Sequence, residues 1–203
     1  GMSSLFLLAL LLCAFTRTSA VVSANSAETA VGGLIATNTT WRVANSPYTV
    51  TSDLLIDANV QLTIEAGVEV RFEVGKALLV AGSLLAQGSA SQPITLTSAQ
   101  PLPQPGNWRG IRVVNPSEVA HIEQSGNVLD ASVLQYVLIQ YAGEPLTSTL
   151  GSQYVVDGVA KVDHAVFRYN NGGGIRTSVD GAQITDNHFY SNTILNILNI
   201  LPI

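Results

Sequence analysis

The chain has 203 residues and carries 9 Lys and Arg against 14 Asp and Glu, for a net charge of −5. Apolar residues make up 47% and charged residues 11%, under half the usual quarter, so the chain has ample apolar surface to bury and is not intrinsically disordered. So few cations on an acidic chain also argue against nucleic acid as a partner, because few phosphates could be neutralised.

Gly1 ahead of Met2 reads as a cloning scar. Leu5 to Phe15 is an apolar run too short to span a bilayer as a helix. Small-residue cleavage sites follow at Thr18-Ser19-Ala20 and Val22-Ser23-Ala24, so residues 1–24 are expected to be the scar plus a secretory signal peptide. No Lys or Arg precedes the run, and Arg17 follows it. The competing reading is a buried N-terminal helix. The only cysteine, Cys13, lies inside the run behind Leu12 rather than a small residue, which argues against a lipid anchor. Cleavage after Ala24 would leave a secreted or cell-surface chain with no cysteine and no membrane span, held together by packing and hydrogen bonds alone. Residues 25–47 are expected to form a lead-in or cap.

From Tyr48 the sequence reads as short strands without a convincing helix. Val68-Glu69-Val70-Arg71-Phe72-Glu73-Val74 alternates apolar with charged, which predicts Val68, Val70 and Phe72 inward and Glu69, Arg71 and Glu73 outward. Val60 to Ile64 alternates in the same way. Leu78-Leu79-Val80, Ile94 to Thr97 and Ile111 to Val114 are further β-rich segments, punctuated by turn glycines such as Gly67, Gly75, Gly82, Gly88, Gly106 and Gly110. Three later segments, 132–141, 160–169 and 182–191, can be laid over one another. Leu134, Val162 and Ile184 then form one column, and Ile139, Phe167 and Phe189 another. A strand pattern repeating every 20 to 30 residues or so marks a solenoid, in which each turn buries its apolar face against its neighbours. Asn170 and Asn192 share a further column, where the side-chain amides would hydrogen-bond the adjacent coil from a left-handed turn position; the alternative is ordinary loop asparagine.

Leu62 to Phe72, Leu79 to Gly88 and Pro93 to Ser98 resemble the opening coils of secreted bacterial β-helix proteins, and Trp108 to Ile111 and Leu134 to Gly143 resemble later coils. Over roughly residues 48–193 the chain is similar to the right-handed parallel β-helix proteins of the pectin-lyase-like group. The resemblance implies an all-β, right-handed parallel β-helix solenoid. It does not choose an activity, since lyases, hydrolases, adhesins and inert surface proteins share that fold.

Polysaccharide-cleaving β-helices need a cluster of chemistry on one face: close carboxylates in hydrolases, or calcium-binding acids with a basic residue in lyases. The acids here are scattered, with no Asp-Asp pair and no Gly-His-Gly, so no cofactor or metal is expected. The residual catalytic candidates are Asp163 and His164 with Asp186 and His188. The overlay puts His164 and Asp186 in one column of adjacent coils, roughly 5 Å apart at the backbone, as an acid/base pair or an ordinary outward ion pair. Tyr141 and Tyr169 share a column, with Tyr136, Tyr190 and Trp108 expected nearby, as a platform for sugars or as core filling. Glu65 and Glu69 read as solvated carboxylates, and Asn38-Thr39-Thr40 matches a glycosylation acceptor.

The tail at 194–203 sets apolar residues in pairs on a three-residue beat and carries no charge. It is expected to fold back as a lid over the last coil or to pair with another chain, with pairing stopped by Pro202. The reading that follows is a secreted or cell-surface, non-catalytic β-helix with a structural, adhesive or carbohydrate-binding role, with polysaccharide or a second copy of the chain as partner. A polysaccharide lyase or hydrolase and a self-assembling extracellular filament subunit are the alternatives.

Overall fold

A computed structural model describes residues 28–114, 132–143, 154–177 and 182–193, together with the backbone of 198–200. The proposed signal peptide, including Cys13, lies outside the described residues. A lead-in strand, β1 (Thr29–Ile35), comes first. The first coil runs through β2 (Thr39–Trp41), a single 3-10 turn (Val43–Asn45) and the long β3 (Tyr48–Ile56). The second holds β4 (Gln61–Ile64), β5 (Glu69–Phe72) and β6 (Ala77–Val80), and the third β7 (Ser83–Gln87), β8 (Ile94–Ser98) and β9 (Gly110–Val113). The fourth holds β10 (Val133–Gln135), β11 (Val137–Gln140) and β12 (Tyr154–Asp157), and the fifth β13 (Lys161–Asp163), β14 (Val166–Arg168) and β15 (Gly173–Thr177). β16 (Gln183–Thr185), β17 (His188–Tyr190) and β18 (Leu198–Ile200) complete the sixth.

Every pairing between these strands is parallel and joins one coil to the next. The first face is the sheet β2-β4-β7-β10-β13-β16. The other two faces share β3, whose Tyr48–Val50 segment pairs with β5 while its Leu54–Ile56 segment pairs with β6. From there the second face continues as β8-β11-β14-β17 and the third as β9-β12-β15-β18. This is a three-faced parallel β-helix, as the strand pattern and the resemblance imply. Pairing begins ahead of Tyr48, since β2 lies on β4, and β1 lies along β3 where its half-buried Val31 and Ile35 pack on the core. The tail at 194–203 is not wholly separate from the coils, because Leu198–Ile200 pairs on β15; its remaining residues lie outside the described ones.

Inward side chains stack in columns. On the first face Trp41, Ile64, Ala86, Leu134, Val162 and Ile184 are in register. On the second the column is Tyr48, Val70, Leu96, Ile139, Phe167 and Phe189. Leu54, Leu78, Ile111, Val156 and Ile175 line the third. Most of these are fully buried, and each such Val, Leu, Ile or Phe contributes roughly 1.5–3 kcal/mol of burial. The Phe167 and Phe189 rings stack at 4.7 Å, and Phe72 stacks on buried Trp108 at 4.0 Å. In β5 the alternation holds: Val70 and Phe72 are buried, while Glu69 and Arg71 are half-exposed and bond each other at 2.9 Å.

Corners between strands break the ladder, and side chains repair it. Asn170 Oδ1 accepts from the Ala142 N–H at 2.8 Å, and its Nδ2 donates to the Ile139 carbonyl at 3.1 Å. Asn192 repeats this one coil on, toward the Asn170 N–H and the Phe167 carbonyl. Asn187 does the same at the other corner, and Asn38 Oδ1 accepts from the Gln61 N–H. The asparagine ladder therefore exists, but the left-handed conformation falls one residue earlier. Tyr141, Tyr169 and Ser191 hold positive φ at one corner, and Tyr136, His164 and Asp186 at the other. That residue turns the chain and carries its side chain outward, so the next one points inward, where an amide can bond the preceding coil. At Gly82 the reason for glycine is space: a Cβ would collide with the carbonyl oxygens of Asp57 and Val60.

Candidate functional site

The corner between the first and second faces carries Tyr136, His164 and Asp186 in successive coils, with φ of 49°, 51° and 51°. The Tyr136 and His164 rings stack with centroids 4.7 Å apart. Beside them the outward surface of the second face holds a groove of about 310 Å³. Leu138 and Val166 form its floor, Tyr136 and His164 one wall, and Arg168 and Tyr190 the other, with Ser89, Ala90 and Pro93 along the rim.

The apolar floor follows from the strand period. Val137 and Ile139 face inward and are buried, so Leu138 between them must face out; Val166 lies outward between Ala165 and Phe167 in the same way. The next outward column is polar. Gln140 Nε2 donates to Thr97 Oγ1 at 3.1 Å, and Arg168 Nε donates to Gln140 Oε1 at 2.8 Å. Arg168 Nη1 reaches the Tyr190 hydroxyl at 3.4 Å, and the guanidinium lies 5.6 Å from the Tyr169 ring centroid. Its bonds run to neutral oxygens, and among the described residues no carboxylate pairs with it.

On the opposite wall His164 Nδ1 lies 2.9 Å from Asp163 Oδ1. Asp163 also accepts from Thr185 Oγ1 at 2.6 Å and from Gln135 Nε2 at 2.9 Å. The Thr185 hydroxyl, then the Gln135 amide, and then His164 hold the Asp163 carboxyl at about 2, below its ordinary 3.8. The carboxylate is covered by these immediate neighbours at the outer edge of the coil rather than set deep in the protein. An ionised carboxylate only accepts, so His164 donates from Nδ1–H and leaves Nε2 as the free ring nitrogen. The partner of His164 is thus its sequence neighbour Asp163. Asp186 joins them in a cluster whose donor atoms lie within 4.8 Å of one another, but both Asp163 oxygens and His164 Nδ1 are already engaged in bonds within the protein.

The remaining sequence candidates separate. Tyr136 and Tyr190 line the groove, whereas Tyr141 and Tyr169 stack on each other at 5.7 Å at the far corner. His188 is exposed in β17, in register with Val166. Trp108 is buried, and its Nε1 donates to the Gln140 carbonyl at 2.9 Å. Glu65 pairs with Arg42 at 3.4 Å. Arg168, Leu138 and Val166 were not singled out by sequence reasoning. The available signal was an apolar residue at an outward position of an alternating strand, twice in one column, with a cation two residues after the second.

The model of the pectate-lyase-like β-helix domain matches residues 33–153, more than half of the chain. The chain belongs to that family. No curated protein and no solved structure matches it. The matched part of this pectate-lyase-like β-helix contains Tyr136, Leu138 and Gln140, whereas His164, Val166, Arg168 and Tyr190 lie beyond it. Among the described residues no helix is long and apolar enough to cross a membrane.

Proposed function

We propose that this pectate-lyase-like β-helix is exported and acts outside the cell or at its surface as a non-catalytic carbohydrate-binding protein, with its ligand in the second-face groove. The observation that carries this reading is the groove itself: an apolar outward floor between a ring wall and a guanidinium that, among the described residues, pairs with no carboxylate. Sugars present C–H faces that pack on Leu138, Val166 and the tyrosine rings, and Arg168 offers charged donors to an acidic sugar. An adhesive or structural role at the surface would use the same contact.

The test is retention on a panel of soluble and immobilised polysaccharides, neutral and acidic, with Tyr190→Ala and Arg168→Ala compared with the parent chain. Each variant should keep the parent thermal midpoint and bind an acidic polysaccharide about tenfold more weakly, a loss of about 1.4 kcal/mol. Retention on no polysaccharide, or unchanged binding by both variants, would overturn the proposal. The Asp163–His164 pair favours a second reading as a polysaccharide lyase or hydrolase, because an imidazole fixed in one tautomer can move a proton. Release of unsaturated uronate or of new reducing ends by the parent chain, lost in His164→Ala, would select it.

A further inference from the structure

The groove holds a permanent cation on one wall and an imidazole on the other, and the glycan-binding reading above uses only the first as a charge. Three features set His164 apart from an ordinary surface histidine. Its ring is clamped by the stack on Tyr136 and the bond to Asp163, so it does not need to be ordered when a ligand arrives. The Nδ1 side is engaged, which leaves Nε2 as the atom that gains or loses a proton. Both the imidazole and the Arg168 guanidinium line the same cavity, on either side of Leu138 and Val166.

We infer that His164 is a second anion contact of the groove, one that operates only when its imidazole is protonated, so that a carboxylate- or sulfate-bearing glycan binds more tightly as pH falls. The inference rests on the glycan-binding reading of the groove and adds a residue and a direction to it. The groups that face the imidazole are Asp163 on its own coil, Tyr136 and Asp186 at the corners before and after, and Arg168 and Tyr190 across the groove. Asp163 holds its charge to about pH 2, so it stays an anion in all conditions under which an imidazole titrates. Carboxylates with ordinary values near 4 also remain ionised at pH 5, so the ligand keeps its charge over the interval tested. By linkage, a bound anion should in turn favour the protonated ring.

The experiment is calorimetric titration of the full chain at pH 5 and pH 8 with an oligogalacturonate, its methyl ester and a sulfated oligosaccharide. The expected result is binding of at least one anionic probe about threefold tighter at pH 5, the size of one added exposed charge contact, with no such ratio for the ester. The ratio should collapse toward one in His164→Gln and survive in His188→Gln, the other imidazole on this face among the described residues. Arg168→Gln should weaken binding at both pH values and keep the ratio. A ratio of one in the parent, or a ratio retained by His164→Gln, would overturn this inference and leave the glycan-binding reading standing. Binding of no probe at either pH would overturn both. The sulfated and uronate arms distinguish which anion the groove takes.

Discussion

Asn170→Ala isolates the device that closes each corner of the solenoid. Asn170 is fully buried, accepts from the Ala142 N–H at 2.8 Å and donates to the Ile139 carbonyl at 3.1 Å. Ala142 and Ile139 are themselves fully buried, so water cannot take over either bond. Alanine leaves one donor and one acceptor without partners, at about 1–3 kcal/mol each, for a total of about 2–6 kcal/mol. Asn170→Asp separates the two halves of the effect. It keeps an acceptor for Ala142 but turns an oxygen toward the Ile139 carbonyl, and should destabilise at least as much as alanine. Asn192→Ala, at a half-buried corner of the last coil, should lose less. Denaturant unfolding, with hydrogen exchange followed at the Ala142 amide, reads both energy and place. A loss under about 1 kcal/mol for Asn170→Ala with Ala142 protection unchanged would refute the ladder as a source of stability.

Phe167, buried between Ile139 and Phe189, should cost about 3–5 kcal/mol when changed to alanine, and an unchanged thermal midpoint would contradict the column. Gly82→Ala should destabilise by about 1–3 kcal/mol, because its Cβ meets the Asp57 and Val60 carbonyls; parent-like unfolding would show that the corner yields. The folded Asp163 carboxyl titrates at about 2 against an ordinary 3.8, so its contribution is complete above about pH 4 and is lost as pH falls toward 2. Acid unfolding curves of the parent and Asp163→Asn should therefore converge over that interval, and parallel curves would refute the assignment.

The inward half of this structure is legible in the sequence because burial leaves little choice. Val68, Val70 and Phe72 alternate with charges, and a slip of one residue would bury Glu69 and Arg71, so the register is fixed. Ile139, Phe167 and Phe189 align for the same reason. The corners are less legible. Tyr136, Tyr141, His164 and Tyr169 adopt a conformation that side chains generally resist, and nothing in the identity of the three tyrosines announces it. They hold it because each corner is hydrogen-bonded to a neighbouring coil, the Tyr136 N–H to the Asp163 carbonyl, the Ala142 N–H to Asn170, the Ala165 N–H to Asn187 and the Asn170 N–H to Asn192, which is tertiary information. For the same reason a column overlay puts His164 beside Asp186 but does not reveal that its hydrogen bond runs to Asp163.

The groove shows how a regular scaffold produces a site. Down one outward column run Glu69, Thr95, Leu138, Val166 and His188, and down the next Arg71, Thr97, Gln140, Arg168 and Tyr190. In the second coil the cation at Arg71 meets a carboxylate at Glu69, and the pair neutralises itself. In the fifth coil the cation recurs at Arg168, but the position of Glu69 is taken by Val166, and in the coil before it by Leu138. The same geometry that makes a self-satisfied ion pair at one end of the face therefore leaves a guanidinium beside an apolar floor at the other. Restoring the pair by Val166→Glu would place a carboxylate two residues before Arg168, as Glu69 stands to Arg71. It should quench the groove for acidic glycans at little cost in stability, since the exposed pair itself contributes only about 0–1 kcal/mol. Binding to acidic polysaccharide that survived Val166→Glu at full strength would show that the ligand does not use Arg168.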